Sequence, residues 1–164
     1  MLEAIKRRRS IRRYTDHPVT DEQVRILMEA AMAAPSGDAR SPWEFVVVRD
    51  PGLRQQLANV HRYAAMAAAS PVVFVVCGSD RVSEHWVEDC SAATENLLLQ
   101  ATDLGLGTVW VGIYPRAEYE ERVRRILGIP DRIRVLCMVP AGYPAEQKRP
   151  HAGFDAAKVH YDRY

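Results

Sequence analysis

The apolar residues of this 164-residue chain recur at helical spacing in some stretches and as short continuous runs in others. Val24, Leu27 and Met28 lie three and four residues apart, which is the spacing of an amphipathic helix. Thr20 precedes this run, and Gln23 follows Thr20 by three residues. Because this pair can satisfy the free amides of a first helical turn, the pattern predicts a capping box and a helix beginning at Thr20.

The remaining elements follow from the same reasoning. The predicted helices cover residues 2–9, from 20 to a stop at 35–37, from 51 after an Asp50 cap, 83–104 and 115–127. The predicted strands cover residues 44–49, 71–77, 108–113 and 133–141. The run 71–77 is apolar on both faces, and helix 83–104 is apolar around much of its circumference, so it is buried centrally or against a second subunit. The pattern predicts an α/β or α+β domain with about four strands.

Composition limits the class of protein. Hydrophobic content of 48% and charged content of 26% are typical of one soluble globular domain covering 1–164. The net charge of +1 disfavours broad nucleic-acid binding, and no apolar run is long enough for a membrane span or a secretory signal. Cys77, Cys90 and Cys137 are widely spaced and are expected to be buried thiols in a reducing cytoplasm. No metal-ligand spacing is present, so no metal is expected.

A basic segment near the start of the chain carries the strongest chemical signal. Six of the eight residues in 6–13 are Lys or Arg, and Ser10 lies among them. Guanidinium donors beside a hydroxyl suit a phosphate group, but a solvated helix end or a nucleic-acid arm would have the same composition. The position of the segment between structured elements, and the presence of Ser10, favour phosphate. Lys148 and Arg149, otherwise an ordinary solvated pair, offer a second cationic arm.

Two loops add to this interpretation. Residues 34–45 form either a turn closed by a core tryptophan or a loop of small residues that approaches a planar ligand. Residues 105–115 are glycine-rich, but the first glycines, Gly105 and Gly107, follow a helix and precede a strand, which is the reverse of the dinucleotide-binding order. Gly112 could place a backbone amide close to a ligand. With no nucleophile motif and no metal cluster, the sequence indicates that a bound organic cofactor carries the chemistry.

Taken in order, these segments resemble the nitroreductase-like flavoprotein family, including its small single-domain members. The resemblance rests on residues 8–12, 34–36, 42–45, 93–99, 105–107 with 112, 142–144 and 159–161. It implies an α+β, three-layer fold with a central mixed sheet of four to five strands. It also implies a homodimer with FMN at the subunit interface, the long helix packed across the twofold axis, and an extended tail over about 145–164 that packs on the partner.

The resemblance also implies roles for particular residues of this chain. The following residues are expected to bind FMN: Arg8, Arg9, Ser10 and Arg12 at the phosphate and the polar edge of the flavin, Lys148 or Arg149 at the phosphate, Pro35, Ser36 and Gly37 from the other subunit, and the backbone of Gly112 and Ile113 near N5. No side chain is expected to be catalytic, because flavin N5 carries the chemistry. Arg62 lies in a region that contributes in relatives.

The implied activity is a ping-pong, two-electron reduction of nitroaromatic, quinone or related small acceptors by NADH or NADPH. Specialised flavin chemistry on the same fold, such as dehalogenation or enoyl-type reduction, is an alternative. A non-catalytic module that binds nucleotide or nucleic acid through residues 7–13 is the alternative of a different class. Ala39 and Ser41 stand where relatives commonly carry amide side chains ahead of the Pro-Trp pair, which puts the usual contacts of that loop in question.

Overall fold

A computed structural model describes residues 1–151 and 153–164. The helices are α1 (Glu3–Arg7), α2 (Asp21–Met32), α3 (Pro51–Ala58), α4 (Met66–Ala69), α5 (Trp86–Asp103) and α6 (Ala117–Leu127), with 3-10 turns at Gly37–Ala39 and Ala156–Lys158. The strands are β1 (Trp43–Val48), β2 (Val72–Gly78), β3 (Gly107–Thr108), β4 (Val111–Gly112) and β5 (Arg134–Gly142).

The five strands form one sheet in the order β1-β2-β5-β3, with β4 also paired to β5. Every pairing between these strands is antiparallel. The α+β class is confirmed, but the expectation of a mixed sheet was wrong for these strands. The described residues contain a parallel pairing only as the isolated bridge between Ser10 and Thr108. The reason is topological, because β2 and β5 are central and each neighbour runs against them.

Strand β2 explains why the molecule has three layers. All seven of its residues are buried, as the doubly apolar run predicts. Val72, Phe74 and Val76 belong to the core under α2 and α5. Val73 and Val75 belong to a second core, under α3, α4 and α6. Since successive side chains of a strand point to opposite faces, one apolar run supports a helical layer on each side.

Most helix ends agree with the signals in the sequence. Thr20 accepts from the Gln23 amide while the Gln23 side chain accepts from Thr20, so the predicted capping box is confirmed. Asp50 caps α3 with Pro51 in its first turn. Gly128 ends α6 in the left-handed conformation, with φ of 66°, which glycine adopts without steric cost.

Several boundaries differ from the prediction, and three of these differences bear on the site. Helix α1 ends at Arg7, so most of the basic segment is extended. Helix α5 begins at Trp86 instead of 83, because residues before it form a turn held by Ser83. The predicted strand 108–113 is divided into β3 and β4, both paired to β5. The short helix α4 was not predicted, since four residues carry too little periodicity to detect.

The chain after β5 returns along the N-terminal segment. The Ala145 amide donates to the Arg13 carbonyl at 2.8 Å, and the His151 amide donates to the Lys6 carbonyl at 3.0 Å. Residues 144–151 therefore run antiparallel to residues 6–14. Among the described residues, no helix combines the length and apolar composition needed to cross a lipid bilayer.

Candidate functional site

A cleft of about 700 Å³ lies at the β3–β4 edge of the sheet. Its wall is built from the segment after α1, the chain between α3 and α4, the edge strands, and the start of α6. The lining residues are Arg12, His61, Arg62, Tyr63, Met66, Val109, Trp110, Val111, Gly112, Ile113, Tyr114, Pro115, Arg116 and Tyr119. Three of the predicted site residues, Arg12, Gly112 and Ile113, are thus brought together.

The backbone of the edge strand is open toward this cleft at two residues. The Val109 amide donates to Pro140 at 3.3 Å and the Ile113 amide donates to Leu136 at 3.1 Å, so odd-numbered residues from 109 to 113 face β5. The alternation ends at Tyr114, whose amide also donates to Leu136, at 3.0 Å. Successive residues of an antiparallel strand direct their backbone groups to opposite sides. The backbone groups of Trp110 and Gly112 therefore point away from β5.

The same alternation explains where the N-terminal segment joins the sheet. The Thr108 carbonyl also points away from β5, and it accepts from the Ile11 amide at 2.8 Å. Gly107 permits this approach, because a Cβ there would lie 2.7 Å from Ile11. The N-terminal segment thus covers the first part of the edge and leaves Gly112 uncovered.

Gly112 is exposed, and a Cβ built on it would meet nothing within 4 Å. A planar molecule could therefore approach its amide closely. Ile113 differs, because its side chain is fully buried and its amide is already bonded to β5. Of the predicted pair, only Gly112 offers open hydrogen-bonding groups.

The basic segment divides its side chains between two sides. Arg7, Arg9 and Ile11 line a hollow of about 110 Å³, whereas Arg12 lines the main cleft. This is the alternation of an extended chain. The even-numbered residues 8, 10 and 12 therefore share one side, and Arg9 lies on the other. The helix predicted over residues 2–9 did not lead us to expect this separation.

Several of the cationic residues predicted for the site already have partners within the chain, most of them in the returning tail. Lys148 Nζ donates to the Ser10 carbonyl at 2.5 Å and lies 3.5 Å from the Glu146 carboxylate. The Arg9 guanidinium donates to the Arg149 carbonyl. Arg8 lies 3.7 Å from the Glu95 carboxylate of α5. The structure therefore places Lys148 and Arg149 beside the basic segment, as the sequence suggested.

Glu146 links the returning tail to the N-terminal segment. Its carboxylate accepts from the Arg12 amide at 2.6 Å. That backbone hydrogen bond, with help from Lys148, lowers the pKa of Glu146 despite the opposing effect of burial. An ionised Glu146 thus holds the backbone of Arg12 in place. The guanidinium of Arg12 remains on the cleft side.

Residues 35–37 do not line the cleft. The Gly37 amide donates to Asp89 at 2.8 Å, and Ser83 donates to the other oxygen of the same buried carboxylate at 2.8 Å. A Cβ at Gly37 would lie 2.9 Å from His85. This loop is therefore fixed to the start of α5, and Ser36 accepts from the Ser41 amide at 2.9 Å. Pro35 is exposed.

His61 is a cleft residue that the sequence did not reveal. Its Nδ1 accepts from the Tyr63 amide at 3.1 Å, so the neutral ring carries its proton on Nε2. The ring stacks on Tyr119 at 4.8 Å. Burial lowers the pKa of His61, while an interaction with the Gly112 backbone opposes the shift. Nε2 is buried and has no partner of hydrogen-bond geometry among the described residues.

Five further polar or aromatic lining residues were not predicted from the sequence, namely Tyr63, Trp110, Tyr114, Arg116 and Tyr119. They come from separate segments and have no motif in common, so only the packing of α6 and the α3–α4 connection against the edge strand assembles them. Arg62, which was named for its region alone, does line the cleft.

The fold and the cleft together define an α+β protein whose candidate ligand site lies at the edge of an antiparallel sheet. The nitroreductase family model matches residues 5–63 and 60–143. The chain therefore belongs to the nitroreductase family.

Individual relatives agree with this assignment. A protein of Methanothermobacter thermautotrophicus, provisionally named NADH dehydrogenase/NAD(P)H nitroreductase, is 40% identical over 100% of this chain and 87% of its own length. A crystal structure from Bacteroides thetaiotaomicron with the same provisional name has a TM-score of 0.96 and 40% identity, covering 99% of this chain and 96% of that one. The FMN-dependent nitroreductase of Clostridium difficile R20291 has a TM-score of 0.95 and 30% identity, with full coverage of both chains.

Proposed function

We propose that this protein is an FMN-dependent NAD(P)H oxidoreductase that reduces nitroaromatic, quinone or related small acceptors by a ping-pong mechanism. The names of the relatives support an oxidoreductase, and one similar structure is of an enzyme described as FMN-dependent. The observation that carries the proposal is the open backbone of Gly112 in a cleft that also receives Arg12.

The residues present fit a flavin. Isoalloxazine is planar and has hydrogen-bonding atoms along its edges, so an exposed strand edge with no side chain at Gly112 can receive it. The Gly112 amide is proposed to bond near N5. Arg12 is proposed to stabilise negative charge that develops at N1 and O2. When bound, FMN supplies the two-electron chemistry, with protons available from solvent.

The phosphate is assigned to the even side of the basic segment. Arg8 and Ser10 are proposed to bind it, together with the side chain of Arg149 from the tail. Arg9 and Lys148 also belong to the proposed site. Their hydrogen bonds to the Arg149 and Ser10 carbonyls suggest that they act by fixing the tail against the segment.

The proposed enzyme is a homodimer of single-domain chains. Pro35, Ser36 and Gly37 do not line the cleft of their own chain, so they are proposed to contact the flavin of the partner. Leu2, which precedes α1, and Ile5 within it are exposed. A groove of about 350 Å³ lies between α1, α2 and α5. The exposed Phe154, Tyr161 and Tyr164 are proposed to pack on the partner. Three unpaired, buried cysteines support a reducing, cytoplasmic location.

The test is the flavin content and kinetics of the purified protein. We expect visible flavin absorption, FMN identified by mass after acid release, and parallel double-reciprocal plots when NAD(P)H and acceptor are varied. The R8Q/R12Q double variant should lose bound flavin, because two cations of the site are removed. The exposed R132Q variant is the matched control and should keep it. Full flavin content in the double variant would refute the assignment, and a wild-type protein that refuses FMN would refute the function.

A further inference from the structure

The charged side chains that line the cleft are all cationic. Arg12, Arg62 and Arg116 are among its lining residues, and no carboxylate of the described residues lines it. This local excess contrasts with the chain as a whole, whose net charge is only +1. A concave site with charges of one sign concentrates the opposite charge, so the cleft attracts anions.

Two of these arginines remain after Arg12 is assigned to the flavin. The Arg62 guanidinium lies 4.5 Å from the centre of the Tyr63 ring. Arg116 is exposed immediately before α6. In the part of the chain that the structure describes, neither guanidinium has an ion-pair partner within 4.0 Å.

Other arginines of α6 show that this is not a general feature of the helix. Arg124 pairs with Glu121 at 2.8 Å, and Arg125 pairs with the same carboxylate at 3.3 Å. Glu118 is two residues from Arg116 but does not line the cleft. The lack of a carboxylate partner at Arg62 and Arg116 is therefore not shared by these two neighbouring arginines.

Several aromatic side chains line the same cleft. Tyr63, Trp110, Tyr114 and Tyr119 line the cleft together with Arg62 and Arg116. Aromatic side chains offer flat apolar surface to a planar ligand, and guanidinium groups bind carboxylates with two donors in one plane. The combination suits a planar molecule that carries a negative group.

We propose that the cleft selects anionic aromatic substrates, with Arg62 and Arg116 binding the negative group. This inference rests on the proposed function, since it names the substrate class for the same cleft. The negative group belongs either to the electron acceptor, as a carboxylate, or to the nicotinamide donor, as the phosphate that distinguishes NADPH from NADH. Both sources present the same chemistry to the two arginines.

The acceptor arm compares 4-nitrobenzoate with 4-nitrobenzamide, which has nearly the same shape but no charge. We expect kcat/KM to favour the anion by about tenfold, the effect of one or two charge-assisted hydrogen bonds. The donor arm compares NADPH with NADH at a fixed concentration of 4-nitrobenzamide. Raised salt should reduce any charge-based preference, because exposed cations are screened.

The variants R62Q and R116Q test whether these two arginines cause the preference for the charged ligand. In each, the ratio of kcat/KM for the charged and neutral member of the preferred pair should fall several-fold toward one. R132Q removes the same charge from an exposed position outside the cleft and should leave the ratio unchanged. Calorimetric titration of the two benzoic acid derivatives into the purified protein provides a second readout that does not require turnover.

The outcomes separate this inference from the proposed function. Equal rates and equal binding of charged and neutral ligands in both arms would overturn the inference, while bound FMN and NAD(P)H oxidation would leave the proposed function in place. A preference that survives in both arginine variants would also overturn it. A protein without flavin would refute the proposed function, and the titrations would still decide whether the cleft prefers anions.

Discussion

Gly107 and Gly112 lie in the same edge of the sheet but have different tasks. A Cβ at Gly107 would lie 2.7 Å from Ile11, whereas a Cβ at Gly112 would meet nothing within 4 Å. Gly107 is therefore needed for packing between the sheet and the N-terminal segment. No contact among the described residues requires a glycine at position 112, so its missing side chain is proposed to serve the cleft.

This difference gives a prediction at the scale of single residues. Gly107→Ala should lower the free energy of unfolding by about 1–3 kcal/mol through overpacking against Ile11. Gly112→Val should change stability by less than about 1 kcal/mol, because its side chain enters open space, but it should weaken FMN binding. Urea unfolding and flavin titration measure the two quantities. Unchanged flavin affinity in Gly112→Val would contradict the role assigned to this residue.

His61 shows how a residue without a motif becomes part of a site. Its tautomer is set by the Tyr63 amide, and its ring position is set by Tyr119. Because burial lowers its pKa, the folded protein favours the neutral ring. Nε2 of the neutral ring is buried without a hydrogen-bond partner among the described residues, so His61 lines the cleft without adding charge to it.

At the scale of elements, α6 is joined to β5 by a buried ion pair. Glu120 is 4% exposed and accepts from Arg134 at 2.8 and 2.9 Å. The Val135 amide also donates to this carboxylate, at 3.3 Å. Arg134 has a second partner in Asp80, at 3.1 Å. Since Arg116 immediately precedes α6 and Tyr119 lies in its first turn, the Glu120–Arg134 pair fixes one wall of the site.

Glu120→Gln should therefore reduce the free energy of unfolding by about 2–4 kcal/mol, because it leaves a partly buried guanidinium without its main carboxylate. The neighbouring Glu121→Gln is a matched control. Glu121 pairs with Arg124 and Arg125 at the surface, where such pairs contribute about 0–1 kcal/mol. Denaturant unfolding of both variants tests the comparison, and equal losses would show that burial of Glu120 is not the cause.

At the scale of the whole molecule, the apolar side of α1 has no cover in one chain. Leu2 and Ile5 are exposed in the single chain. The adjoining groove between α1, α2 and α5 is lined by Ala4, Ala30, Ala33, Asn96, Leu99, Gln100 and Asp103. This surface is consistent with the proposed second copy of the chain.

We expect sedimentation analysis to give twice the 18.5 kDa of one chain. Ile5→Glu should shift the protein toward the monomer and lower its flavin content, because the loop 35–37 is proposed to act in the partner's site. Ile5→Val keeps the apolar surface and should remain dimeric. An Ile5→Glu protein that stays dimeric with full flavin content would show that α1 is outside the interface.

Local signals in the sequence were sufficient for most elements. Thr20 with Gln23, Asp50 with Pro51, and Gly128 each act within one helical turn, so their effects do not depend on the rest of the fold. The apolar run 71–77 likewise predicted a strand covered on both faces. Helix α1 was predicted too long because residues 7–12, which are mostly arginine, carry no apolar periodicity to mark its end.

The sequence alone determined most of the elements, the basic segment and the family resemblance, because each depends on neighbouring residues or on ordered motifs. The tertiary structure alone decided the antiparallel pairing, the separation of Arg9 from Arg12, and the inclusion of His61 and Arg116 in the cleft. These features depend on strand register and on contacts between distant segments. Register decides which backbone groups of Gly112 stay open, and no local pattern encodes it.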